Sequence, residues 1–148
     1  MNKISVVSKF LKGGACVLAL AGAASVMANS PVGQWHSIDD STGELKSMVV
    51  ITEQQGVIRG RVEKILRKDA DLNAKCEKCS DDRKNLPIVG IEIIRGAKKA
   101  QGKNVWEGGE ILDPENGKTY GLRLTPIENG AKLEAVSYTH LTLPTNRE

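Results

Sequence analysis

The stretch NVWEGGEILDPENGKTYGLRLTPIENGAKLEAV, residues 104–136, decides the fold. It contains three short runs, 104–112, 118–124 and 132–136, separated by two turn signals. In Asp113-Pro114-Glu115-Asn116-Gly117 the proline presets φ and the Asn-Gly pair tolerates positive φ, so the chain is expected to reverse there. Glu128-Asn129-Gly130 is a second hairpin signal. None of the three runs repeats its apolar residues at a helical spacing, so the reading is strand, turn, strand, turn, strand.

Working outward, the upstream sequence has the same grammar. Residues 34–38 form a short strand candidate closed by the turn formers Asp39-Asp40-Ser41-Thr42-Gly43. Residues 46–52 are β-branched and stop at Gln54-Gln55-Gly56. Residues 57–66 alternate, with Ile58, Gly60 and Val62 on one face and Arg59, Arg61 and Glu63 on the other, as a half-buried strand requires. Residues 88–95 (IVGIEIIR) read as a further strand. Between them, 67–87 is highly charged and lacks either period; it is expected to be a long loop with one helical turn near 68–74. Loops of that length in a compact domain are functional or mobile. Seven short strands and no long helix predict an all-β antiparallel meander. Because open edges invite aggregation, the meander is expected to close into a small β-barrel of about eight strands. Residues 138–143 alternate well enough to supply an eighth.

The beginning of the chain has the three parts of an export leader. Lys3, Lys9 and Lys12 make a positive segment, 15–24 (ACVLALAGAA) an apolar core, and Val26-Met27-Ala28 a peptidase site, so cleavage after Ala28 is expected. The apolar core is too short for a membrane span, which needs about 20 residues. A lipid-attachment reading through Cys16 is weak, because Lys12 and two glycines precede it. The expected organisation is therefore 1–28 signal peptide, 29–136 a single β-barrel domain and 137–148 an atypical tail, with the processed protein in the periplasm and no integral span left. The full chain has 21 basic and 18 acidic residues. Residues 1–28 carry three of the lysines and no acid, so the remainder balances at 18 against 18. With no basic stripe and few aromatics, a nucleic-acid partner is excluded as an expectation.

Three blocks of residues carry a family likeness: Pro31-Val32-Gly33-Gln34-Trp35, Cys76-Glu77-Lys78-Cys79, and Trp106-Glu107-Gly108-Gly109 running into Ile111-Leu112-Asp113-Pro114-Glu115-Asn116-Gly117-Lys118-Thr119-Tyr120. Over about residues 30–136 the chain resembles the bacterial exported domain-of-unknown-function family 2147. The resemblance implies a lipocalin-like β-barrel and no established activity. Gly33-x-Trp35 also resembles the first strand of lipocalins, where the Trp plugs the closed end beneath a basic residue of the last strand. A large core residue on a first strand would read the same way. Residues 137–148 depart from the family, whose members continue with a Gly-rich segment and a strand containing Gly-Arg-Thr and Trp. The tail resembles read-through from a library adapter, so periodicity and resemblance point in opposite directions there.

Chemistry is sparse. Cys76 and Cys79 are the two thiols left after processing, and a disulfide is the first reading in an oxidising compartment. A redox pair would want a helix N-terminus in a βαβ unit. A zinc site would want two more ligands, with Asp71, Asp81 and Asp82 nearby. His36 lies close to Asp39 and Asp40, but no activated nucleophile accompanies it, and along a strand it points opposite to Trp35, towards solvent. The Asp113–Gly117 acids do not match a calcium loop. No catalytic residue, metal or cofactor is expected. The remaining functional idea is the barrel interior, with Trp35, Trp106, Tyr120 and Leu122 as ligand-contacting candidates. Trp106, Gly108 and Leu112 are expected on one face of their strand, and Gly60, Gly90 and Gly108 either leave room for a ligand or mark sharp curvature. Two functional classes follow: a binding module for a small apolar ligand or envelope component, and a structural or interaction barrel with a packed interior. An enzyme is third.

Overall fold

The computed structural model describes residues 2–7 and 29–139. Eight antiparallel strands follow one another around a closed barrel: β1 (Asn2–Val7), β2 (Gly33–Ile38), β3 (Leu45–Gln54), β4 (Val57–Ile65), β5 (Glu92–Lys99), β6 (Trp106–Asp113), β7 (Lys118–Ile127) and β8 (Lys132–Tyr138). A single 3-10 turn at Glu128–Gly130 joins β7 to β8. The all-β meander expected from the sequence is present. Several of its details change. Residues 88–91 are turn, not strand, so β5 begins at Glu92; Gly90 sits at φ 93° and donates its N–H to Val62 O of β4, whose own N–H goes to Ile91 O. Residues 68–74 form two separate turns and no helical one, because Asp71 accepts the Asn73 N–H at 2.8 Å and draws the chain into a local side-chain turn.

The barrel closes through β1, which pairs along β8 from Asn2↔Ser137 to Val7↔Lys132 and meets β2 at Val6↔Ser37 and Val7↔His36. The sequence assigns those same residues to an export leader. Were residues 1–28 removed, β2 and β8 would each lose a backbone partner and the seam would stay open or be refilled. Beyond Val136, Ser137 and Tyr138 extend β8, and the Tyr138 ring lies over Gly121. The leader core with Cys16, the cleavage site, and the expected strand residues 140–143 lie outside the described residues.

Alternation fills the barrel as it should, with bulges at informative places. Ile58, Gly60 and Val62 are buried while Arg59 and Arg61 are exposed. The pairing of β4 with β5 skips Ile93, since Gly60 faces Ile94 and Arg61 faces Glu92. That bulge puts two consecutive isoleucines in the core and turns Glu92 outward to the arginines. The space left by Gly60 is filled: a Cβ there would lie 2.9 Å from Ile94 Cδ1. Gly108 also differs from expectation. A register shift between Trp106 and Gly109 places Gly108 at φ 76°, exposed, with Gly109 taking the buried position against Ala97. Gly90 is likewise exposed in its turn. None of the three glycines opens the interior; two relieve backbone conformation and one admits Ile94.

The loop joining β4 to β5, residues 66–91, folds over one end of the barrel and is fixed by covalent and ionic means. Cys76 and Cys79 form a disulfide with Cα atoms 5.4 Å apart, and both are buried in the core cluster. The β6–β7 turn packs against this ring so closely that a Cβ on Gly117 would collide with the Lys78 carbonyl and stand 2.7 Å from the Cys79 nitrogen. Gly117 also holds φ 72°. Two independent constraints thus require glycine at the end of Asp113-Pro114-Glu115-Asn116-Gly117. Arg67 and Lys46 both reach Glu115 of the same turn. On the outer face, Arg83 is fully buried and gives its guanidinium to Asp81, Glu110 and the Glu92 carbonyl. Arg95 bonds Glu92 and makes a bidentate pair with Asp82 at 2.8 Å.

Two outcomes follow. Gly117→Ala should destabilise the fold by about 3 kcal/mol through strain and clash together, whereas Gly102→Ala, at φ 69° with open space around it, should cost about 1 kcal/mol. Equal thermal shifts would contradict the packing described. The Asp81 carboxyl is lowered to about 2, first by its hydrogen bond from Arg83. Its folded pKa lies below the unfolded one, so its stabilisation is complete above about pH 4 and fades as pH falls towards 2. Asp81→Asn should flatten that part of a melting-temperature profile; an unchanged slope would remove Asp81 from the acid response.

Candidate functional site

The strand ends that the loop covers surround a pocket of about 750 Å³. Its floor comes from the core: Val62 of β4, Ile93 of β5, Ile111 and Leu112 of β6, joined by Ile88 from the loop. All but Ile88 belong to the buried set, and Ile88 packs against it. The β2–β3 turn forms one wall. Asp39 organises that turn by accepting from the Ser41 and Thr42 N–H groups at 2.9 and 3.1 Å and from the Ser41 hydroxyl. These bonds, the Ser41 hydroxyl first, hold its carboxyl at about 2, so it is ionised at neutral pH. Lys75, Glu77 and Lys78, in or beside the disulfide ring, form another part of the lining, as do Asp113, Pro114 and Glu115. The ring therefore sets the position of one wall. An apolar floor beneath a charged rim suits a ligand with an apolar body and a polar end.

The ligand candidates read from the sequence lie elsewhere. Trp35, Trp106 and Leu122 are packed in the core cluster, and Tyr120 lies half-buried against it. None of the four lines the pocket. Trp35 is 1% exposed and its indole N–H donates to the Pro31 carbonyl at 2.7 Å, which satisfies its polar atom inside the barrel. The Tyr120 hydroxyl meets Asn116 Nδ2 at 3.0 Å, tying the strand to its own turn. His36 is half-buried on β2, opposite Met48 of β3 and Val7 of β1. Asp81 and Asp82 are engaged by Arg83 and Arg95, and among the described residues no three His, Cys, Asp or Glu side chains gather as a metal site. Cys76 and Cys79, at 0% and 1% exposure, offer no surface to an exchanging thiol.

The pocket floor was missed in the sequence, and a signal for it existed. Ile93-Ile94 and Ile111-Leu112 are apolar doublets in strands that otherwise alternate, and all four residues are buried. A doublet in a half-solvated strand marks either a bulge or cover on the second face. Here β5 has the bulge, and β6 has the overlying loop.

Among the described residues no helix is long and apolar enough to cross a membrane. No curated protein matches the chain. A solved structure described as "Protein HP1028 from the human pathogen Helicobacter pylori belongs to the lipocalin family" is similar at a TM-score of 0.61 and 19% identity, over 73% of this chain and 71% of that one. At that identity the likeness concerns the fold. Residues 33–146 match the family DUF2147, described as "Uncharacterized protein conserved in bacteria". With a lipocalin-like barrel and a family match over most of its length, the chain belongs to DUF2147.

Proposed function

We propose that this protein is an exported, periplasmic binding barrel that takes a small ligand with an apolar body into the pocket beneath the 66–91 loop. The observation that carries the reading is the cavity itself: about 750 Å³, floored by core isoleucines and valine and walled by a loop that a disulfide and a buried arginine hold in place. A loop that served only to connect β4 with β5 would not need such fixing. The leader pattern in 1–28 and a disulfide favoured by an oxidising compartment support export. The reading assigns the chain no catalysis.

A second reading has its own support. The barrel interior below the mouth is filled by Trp35, Ile58, Leu122, Leu124 and Leu133, each buried. That packing suits a structural or interaction protein whose barrel holds no ligand, and in that case the mouth pocket would bind nothing.

Intact-mass measurement of the periplasmic protein should give a chain beginning at Asn29; retention of residues before Ala28 would contradict the export reading. A fluorescent alkyl probe should bind the processed protein with a saturable signal. Ala74→Trp, which places an indole in the pocket lining, should weaken it about tenfold or more with an unchanged melting temperature. Binding unaffected by Ala74→Trp would remove the mouth pocket as the site.

A further inference from the structure

We propose that Lys46, Arg67 and Glu115 form an ionic strap across the mouth of the pocket, and that a ligand enters and leaves by parting it. The inference rests on the pocket reading above for what passes, and adds how passage is controlled. All three residues line the pocket. Glu115 meets Arg67 at 2.5 Å through one carboxylate oxygen and Lys46 at 3.9 Å through the other. The partners come from separate parts of the ring: Lys46 from the start of β3, Arg67 from just beyond β4, and Glu115 from the turn between β6 and β7. In the closed strand order the β3–β4 pair and the β6–β7 pair stand three places apart out of eight. A contact between them therefore crosses the barrel end and does not run along a single strand pair.

The anchors of the strap are fixed, while its side chains can change rotamer. The β6–β7 turn is seated against the disulfide ring at Gly117, and Asp113 accepts the Glu115 N–H at 2.9 Å. The Leu66 N–H donates to the Lys46 carbonyl at 2.9 Å, which ties the root of Arg67 to β3. Pairing of β2 with β3 passes from Ser37↔Ser47 to Ile38↔Leu45 and skips Lys46. A bulge of this kind re-aims a side chain, and here it brings Lys46 to the lining. The side chains of Lys46, Arg67 and Glu115 are 33%, 42% and 54% exposed. Ion pairs exposed to that degree contribute little to stability and weaken with salt. With the turn already held at Gly117, these bridges are not what keeps the rim in place. What they add is a closure that rotamer changes of long side chains open quickly.

A thiol inside the mouth tests the strap without any ligand. Ser47 shares the inward phase of the buried Val49 and Ile51 on β3 and lines the pocket. Ser47→Cys in a Cys16→Ser background puts one reactive thiol there, because Cys76 and Cys79 are bonded to each other. Its rate of modification by a neutral maleimide measures passage through the mouth. Labelling should quicken about threefold from low to high ionic strength as screening loosens the strap. Adding Glu115→Gln or Arg67→Gln should make labelling fast at low salt and remove most of the salt response, with the melting temperature essentially unchanged. Glu128→Gln breaks the Lys132 bridge beside the β7–β8 connection, at the other end of the barrel, and should label like the parent. For a fluorescent alkyl probe, Glu115→Gln should raise the association and dissociation rates together and leave the affinity within about twofold. Equal labelling of the parent and Glu115→Gln, or an equal gain from Glu128→Gln, would overturn the strap. Faster labelling in Glu115→Gln with no saturable probe binding to either protein would uphold the strap and overturn the ligand reading of the pocket.

Discussion

Arg83 is a fully buried cation in the middle of a loop, and the end of the barrel is arranged around satisfying it. Its guanidinium takes two carboxylates, Asp81 and Glu110, and one backbone carbonyl, that of Glu92. Burying a charge without partners would be prohibitive, so the loop can occupy this position only when the β5 and β6 strand edges are already in register beneath it. Such a cluster contributes little net stability compared with an apolar substitute, but it admits one placement of the loop and penalises others. The disulfide acts in the same direction, closing a ring of four residues and limiting the conformations from which the loop must be recruited, worth about 2 kcal/mol on a chain-entropy account. The pocket is a consequence of that placement. Its floor is ordinary barrel core, and it becomes a cavity because the loop is held across the mouth without filling it.

The two sequence blocks that looked unrelated, Cys76-Glu77-Lys78-Cys79 and Asp113-Pro114-Glu115-Asn116-Gly117, are one contact in space. Gly117 lies against the Lys78 carbonyl, and the Cys76 sulfur is 3.7 Å from the Pro114 carbonyl oxygen. Turn chemistry accounts for the proline and the asparagine: Asp113 accepts the Glu115 N–H, and Asn116 accepts the Lys118 N–H. It accounts for Gly117 only in part, because the close approach of a second backbone forbids a side chain there whatever the turn prefers.

Strand identity was legible from period-2 alternation and turn residues, which is why the meander and most strand bounds could be read directly. The loop was legible as a loop and no further. Within 67–87 the residue that most fixes the geometry, Arg83, sits among Asp81, Asp82 and Lys84 with nothing in composition to distinguish a buried cation from solvated ones. Burial of a charge depends on partners far away in sequence, here Glu92 and Glu110, and local pattern cannot supply them. The mouth pocket was not legible for a related reason. Large aromatics draw attention to the barrel interior, yet Trp35 and Trp106 spend their area on packing, while the pocket is floored by residues whose exposure to it depends on a bulge and an overlying loop. The closing strand is a third case. β1 lies in the segment whose lysines and apolar core read as a leader, which hid the β-branched Ile4, Val6 and Val7; it pairs because an unfilled seam leaves backbone donors and acceptors without partners.

The central claim is that ligands are received at the mouth and not in the barrel interior. Methyl spectra of the protein, labelled at isoleucine, leucine and valine and titrated with an alkyl probe, test it most directly. The account predicts shifts confined to the lining methyls of Ile38, Val62, Ile65, Ile88, Ile93, Ile111 and Leu112, with Leu122, Leu124 and Leu133 unmoved. Shifts centred on Leu122, Leu124 and Leu133 would place the ligand in the barrel and contradict it.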